Sequence, residues 1–245
     1  MSGHSKWSTI KRKKGKTDQQ RAKIFTKVGR EISVCVREGG PDPNANGKLR
    51  DLIAKAKSLN VPNENIERII KKSAGGDDKN SYEDIVYEGY GPSGVAVIVE
   101  ALTDNRNRTA GDLRHYFDKF GGNLGQTGSV SFQFERKGII QLGDEGLNEE
   151  KLFEDMLECG GEDLDEDEGL YTVMTEWSAL QNVRDALEER GYHIASAEVA
   201  YIPQTSVTLT DEEQVKKMSL LLEHLEDNDD VQNVFHNWDM PDEEE

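Results

Sequence analysis

The chain has 245 residues, with 30 Lys and Arg against 48 Asp and Glu and a formal net charge of −18. That length accommodates two or three small globular domains, and no apolar run approaches the roughly 18 residues that span a bilayer. The N-terminus lacks the apolar core of a secretory signal. Cys35 and Cys159 match no metal or redox spacing, so reduced thiols in a cytoplasm are expected.

In chain order, the first feature is a basic run. Between Lys6 and Arg30 stand Lys6, Lys11, Arg12, Lys13, Lys14, Lys16, Arg21, Lys23, Lys27 and Arg30, opposed by Asp18 alone. Residues 1–79 hold 19 Lys and Arg against nine Asp and Glu, a net +10; residues 80–245 hold 11 against 39, a net −28. Segregation on this scale points to a polyanion partner for the first part, with the acidic body repelling the same partner elsewhere. The plainer reading is a solvated basic helix face. Residues 1–16 carry few apolar groups beyond Trp7 and Ile10 and read as an arm ordered on docking. Trp7 either stacks on a base or anchors the arm to the body. His4 either meets a phosphate or is a bystander.

Three amphipathic helices follow. Thr17 or Asp18 caps the first, whose stripe is Phe25, Val28, Ile32 and Cys35 and which Gly39-Gly40-Pro41 stops. The second turns Leu49, Leu52, Ile53, Ala56 and Leu59 to one face. Pro62 opens the third, with Ile66, Ile69 and Ile70 inward and Lys71-Lys72 in the last turn, where they suit the helix dipole. These make the first domain, 1–79.

From residue 80 the period changes to two. Ile85–Glu88 and Val95–Glu100 are predicted strands. Their joint, Gly89 to Gly94, spells G-x-G-x-x-G, but Pro92 and a second strand follow where a dinucleotide site needs a helix, so it is a hairpin. Asn107 or Thr109 is expected to cap a helix through Leu113, Phe117 and Phe120. Arg106 and Arg108 at its start oppose the dipole, which implies either internal carboxylate partners or an external phosphate. The glycines of 121–125 permit close approach by a ligand or simply a tight turn. Val130, Phe132 and Phe134 alternate as a strand.

The pattern restarts at Lys137. Strand 139–142, helix 149–159 with Leu152, Phe153, Met156 and Leu157 inward, edge 163–165, strand 170–174, helix 178–190 and strand 194–202 spell β-α-β-β-α-β, the ferredoxin-like order. A helix over 211–226 and a strand over 231–238 cannot bury a core alone. They are assigned to the domain begun at residue 80. The expected organisation is therefore α+β: a three-helix domain followed by two ferredoxin-like α+β domains, one inserted in the other. The expected boundaries are 1–79, 80–135 plus 206–240, 136–205, and an acidic tail 241–245.

Catalysis and cofactors find no support. The five histidines are scattered, with no ligand or nucleophile spacing. Gly47-Lys48 is followed by Leu49 where a phosphate loop needs Ser or Thr. The run Asp163-Leu-Asp165-Glu-Asp167 departs from a calcium loop at its sixth and twelfth positions, Glu168 and Met174. No metal, cofactor or small-molecule substrate is expected.

The opening M-S-G-H-S-K-W, then K-I-F-T-K-V-G-R-E-I, Y-E-G-Y-G-P-S-G, D-N-R-N-R-T, F-G-G-N-L-G, V-S-F-Q-F and the closing D-D-V-Q-N-V-F-H-N closely resemble the YebC family of probable transcriptional regulatory proteins. That family is similar to the mitochondrial translational activator of cytochrome oxidase subunit one. The resemblance implies a helical N-terminal domain followed by two α+β domains, no enzymatic activity, and the cytoplasm of a bacterium. It implies either DNA-binding regulation of transcription or association with ribosomes and their RNA, helping translation through proline runs. It carries Lys6, Trp7, Lys11 and Arg12 over as the basic N-terminal pattern, with Lys23, Lys27 and Arg30 on the first helix. The Arg12–Lys16 run is denser in lysine than that pattern. The expected partner is thus nucleic acid, DNA or ribosomal RNA, gripped by the N-terminal basic region and by Arg106 and Arg108. Two rivals come from other classes, a protein-interaction adaptor and an enzyme with an unrecognised site; the resemblance argues against the second.

Overall fold

The computed structural model describes residues 18–75, 82–143, 146–167 and 169–240. Among these residues the architecture is α+β. The described residues fall into two compact units, 28–75 with 136–200, and 18–27 with 82–135 and 201–240.

In the first unit, α1 (Asp18–Gly39) buries Val28, Ile32 and Cys35 on one side. It ends at Gly40, whose φ of +87° suits glycine. The buried Asn46 then joins two helices. Its side-chain oxygen accepts from the Leu49 N–H at 3.1 Å and so caps α2 (Gly47–Ser58), while its amide donates to the carbonyls of Cys35 and Gly40. The segment closes with α3 (Asn63–Ala74), which buries Ile66.

The same unit holds the sheet β5 (Asp163–Asp167), β6 (Leu170–Glu176), β4 (Phe134–Leu142), β7 (Ile194–Pro203), in that spatial order. With α5 (Glu149–Cys159) and α6 (Leu180–Glu189) between strands, this is the ferredoxin-like path. The core is Ile140, Leu142, Leu152, Met156, Val173, Val183 and Leu187. Phe153 and Leu157, expected inward, are 45% and 50% exposed. The buried face of α5 is a narrow one, filled by Leu152 and Met156. Glu135-Arg136-Lys137, which looks like a break in sequence, lies inside one continuous strand, β4.

In the second unit the sheet order is β3 (Asn123–Leu124), β1 (Glu83–Tyr90), β2 (Ala96–Thr103), β9 (Val231–His236), all antiparallel. Its helices α4 (Arg106–Lys119) and α7 (Glu212–Asp227) contribute Leu113, Phe117, Met218, Leu221 and Leu225, packed with Val97 and Val99 of β2. The two sheets share strand number and antiparallel pairing. The chain path differs: β1 and β2 form a direct hairpin here, whereas a helix separates β4 from β5. The G-x-G-x-x-G stretch is the hairpin turn, closed by the Tyr90↔Ala96 pair and carrying Ser93 and Gly94 at positive φ. A short parallel pair, β8 (Val207–Thr208) with β10 (Trp238–Asp239), completes the unit.

One buried ion pair ties α2 to α6. Arg184 Nε lies 2.7 Å from Asp51 Oδ1, with the two side chains 2% and 5% exposed, and Gln181 donates to Asp51 Oδ2 at 2.7 Å. Removing one partner of such a pair leaves a buried charge uncompensated. Arg184→Ala is expected to lower the unfolding free energy of the intact protein by about 3–5 kcal/mol, read by urea denaturation. A loss under about 1 kcal/mol would mean that the pair is a bystander.

Candidate nucleic-acid interface

The expected contacts Lys6, Trp7, Lys11, Arg12, Lys13, Lys14 and Lys16 lie outside the described residues, as does Thr17. Arg21 lies on α1, and its side chain is not among those described. Arg30 is half-buried on the same helix.

Lys23 and Lys27 are seated against the C-terminal end of α7. Lys23 Nζ donates to the Asp227 carbonyl at 3.2 Å and lies 3.3 Å from its carboxylate, and Lys27 Nζ donates to the Glu226 carbonyl at 2.5 Å. The last carbonyls of a helix lack intrahelical donors and carry the negative end of its dipole, so an ammonium is favoured there. Burial nevertheless pulls the Lys27 ammonium down to about 8, against the opposite pull of Glu226 and Asp229. In this conformation both lysines are engaged at the end of α7, Lys23 with its side chain still 38% exposed.

Arg106 and Arg108 separate. Asn105, not Asn107 or Thr109, caps α4, accepting from the Arg108 N–H at 3.1 Å. Thr109 instead turns inward and donates to Asp230 at 2.8 Å. Arg108 Nη2 lies 2.7 Å from that same Asp230 carboxylate, whose side chain is 5% exposed, and 3.0 Å from Asp104. Of the two alternatives for Arg108, internal pairing is the one realised. A buried aspartate needs a counter-charge, and Arg108 is placed to supply it. Arg106 is exposed and makes no ion pair among the described residues, while its carbonyl accepts from the Tyr87 hydroxyl at 3.3 Å.

The glycines of 121–125 are used for close approach of the chain to itself. A Cβ on Gly122 would sit 2.3 Å from the Tyr90 carbonyl oxygen, and Gly121 has φ +82°. Beyond them lies a feature the sequence reading missed. Glu88, buried in the middle of β1, accepts the backbone N–H groups of Gly128, Val130 and Ser131, each at 2.8 Å. Burial alone would raise its carboxyl; the three N–H groups outweigh burial and hold it below the usual carboxylate range. Gly125 N–H donates to the Glu88 carbonyl, and Tyr90 donates from its hydroxyl to the Ser129 carbonyl. Residues 131–133 form a 3-10 turn rather than strand, and Phe132 projects from it at 69% exposure. The sequence held no local signal for it, because β1 also carries the exposed Glu83 and Asp84.

Among the described residues no group of three His, Cys, Asp or Glu side chains is placed to hold a metal, and no helix is long and apolar enough to cross a membrane.

A basic N-terminal segment joined to two four-stranded antiparallel sheets in an acidic α+β body defines the class of protein. The particular family follows from comparison. Residues 5–76 match the TACO1/YebC protein N-terminal domain, and residues 82–238 match the TACO1/YebC second and third domain. The chain belongs to the TACO1/YebC family. A "Probable transcriptional regulatory protein" of Acetivibrio thermocellus is 56% identical over 239 residues, covering 97% of this chain and 99% of that one. One of the same name from Finegoldia magna is 55% identical over 239 residues, covering 98% and 99%. A crystal structure of a conserved hypothetical protein from Aquifex aeolicus superimposes with a TM-score of 0.83 at 47% identity, covering 98% of each chain.

The seat of Lys27 gives a pH signature. An amine whose folded pKa is depressed from 10.5 to about 8 binds fewer protons folded than unfolded between those values. Stability therefore rises with pH across that window. The difference in unfolding free energy between wild type and Lys27→Met is expected to move in favour of wild type from pH 7.5 to pH 10.5, and a flat difference would contradict the seat.

Proposed function

We propose that the protein is a non-enzymatic, nucleic-acid-binding regulator of gene expression, working in the cytoplasm. The observation that carries the reading is the segregation of charge, +10 over residues 1–79 against −28 over the remainder. The name its relatives bear, probable transcriptional regulatory protein, supports the same reading. In this account residues 1–79 are the gripping domain, 80–135 with 206–240 and the inserted 136–205 form the acidic body, and 241–245 is a tail.

With Lys23, Lys27 and Arg108 engaged internally, the grip falls to the arm cations Lys6, Lys11, Arg12, Lys13, Lys14 and Lys16. Arg106 stands as a second, separate cation. Trp7 within the arm suits stacking or anchoring.

A second reading has an observation of its own. Phosphate contacts position a protein without reading sequence. If α2 and α3 were taken as a helix-turn-helix, α3 (N-E-N-I-E-R-I-I-K-K-S-A) would offer mainly Glu and Lys on its outer side. That favours a structured RNA or a ribosomal surface over a specific operator, and with it a translation factor acting at difficult sequences such as proline runs.

Changing Lys11, Arg12, Lys13 and Lys14 together to Ala tests the grip. The slope of log K against log salt is expected to flatten by roughly 0.9 per lost phosphate contact on duplex DNA and roughly 0.7 on single strands. A protein adaptor would show no nucleic-acid binding to lose, and an unchanged slope would remove the arm from the account.

A further inference from the structure

We infer that the loop from Gly121 to Phe134 is a second nucleic-acid contact, in which Phe132 stacks on an unpaired base. The inference rests on the nucleic-acid reading above and deepens it. In a chain that is 32% charged, the fourteen residues G-G-N-L-G-Q-T-G-S-V-S-F-Q-F contain no Asp, Glu, Lys, Arg or His. An acidic body that approaches a polyanion needs a neutral place of contact, and this stretch is one.

The loop is also held in shape before any ligand arrives. The Glu88 carboxylate takes three consecutive-region N–H groups from Gly128, Val130 and Ser131, and Tyr90 fixes the Ser129 carbonyl. Gln133 is fixed in turn, its amide donating to the Tyr90 hydroxyl at 3.1 Å and its backbone carbonyl accepting from the Gln204 N–H at 2.9 Å. Burying a carboxylate is costly unless its hydrogen bonds are met, and here the cost is offset by ordering a surface loop. What that ordered loop presents is Phe132, 69% exposed. An aromatic side chain on a rigid support loses little freedom on stacking, which is how a stacking contact gains affinity.

The surroundings favour a base over a protein partner. Protein interfaces centre on a contiguous apolar patch. In this unit the large apolar side chains that stand exposed, among the described residues, are Phe132 and the marginal Val86 at 37%. Gln126, Thr127 and Gly128, exposed in the same loop, are polar or small. A single ring among neutral polar groups is the arrangement of sequence-tolerant base stacking, where every base offers a π-face.

The test uses the full chain, a labelled oligo(A) ribonucleotide and the same backbone made abasic. Wild type is expected to bind oligo(A) more tightly than the abasic strand. Phe132→Ala should weaken oligo(A) binding by roughly 5- to 150-fold, erase the preference over the abasic strand, and leave the salt slope unchanged, because stacking releases no counterions. Phe132→Trp should restore binding and show fluorescence quenching on titration. Glu88→Gln, which loosens the loop while keeping the ring, should fall between. Equal binding by wild type and Phe132→Ala overturns the stack and leaves the arm's grip standing. Binding by wild type to duplex DNA alone has the same consequence. Failure of wild type to bind any of these nucleic acids overturns the stack and the reading beneath it together.

Discussion

The constraint on which the rest depends is electrostatic: under the proposed function, an acidic body must meet a polyanion without being repelled by it. Carboxylates outnumber cations so heavily beyond residue 79 that the body's own cations are drawn into internal pairs. Arg184 goes to Asp51, Arg108 to Asp230, and Arg190 to Asp155 and Glu158, while Lys55, from the basic part, pairs with Glu31 and Glu198. Even Lys23 and Lys27, on the basic helix, are seated on the acidic end of α7. Breaking a buried pair strands an uncompensated charge, whereas an exposed pair is nearly neutral. The collective effect is larger than any single pair, because positive charge available to an outside polyanion is concentrated at one end of the sequence.

The secondary structure was legible because its periodicities are strong. α1 and α7 show clear 3.6-residue stripes and β2 an apolar run broken at Glu100, and the elements form where those patterns lie. The order β-α-β-β-α-β over β4 to β7 was legible for the same reason. Where the reading departed from the structure, the cause was a partner distant in sequence. Nothing near Arg108 announces Asp230, 122 residues away, so phosphate and internal pairing stayed open alternatives. Glu88 gave no local sign of a loop 40 to 43 residues later that would satisfy it. Phe153 and Leu157 fit a helical stripe by spacing, but spacing cannot tell how wide the face opposite the stripe will be. Phe132 alternates with Val130 and Phe134 as a strand would, yet the Glu88 carboxylate bends the chain there into a 3-10 turn.

The account assigns different physics to different parts of the chain. The arm supplies charge, which is long-ranged, salt-dependent and blind to sequence. The clamped loop supplies a short-ranged, salt-insensitive contact that depends on whether bases are unpaired. Together they favour a polyanion with both a phosphate surface and accessible bases, which is a description of folded RNA more than of uniform duplex DNA. The carboxylates of the body serve as the opposing term, discouraging contact by any other face.

The most direct measurement is sedimentation of the protein from a cell lysate at moderate salt, before and after digestion of DNA, with the four-residue arm variant alongside. The account predicts that wild type travels with a nucleic-acid fraction, that it remains with ribosomes once DNA is destroyed, and that the arm variant stays at the top of the gradient. Retention on chromosomal fragments instead, lost on digestion, would keep the grip and transfer it to DNA. Wild type that sediments with neither, or an arm variant that sediments as wild type does, would contradict the central claim.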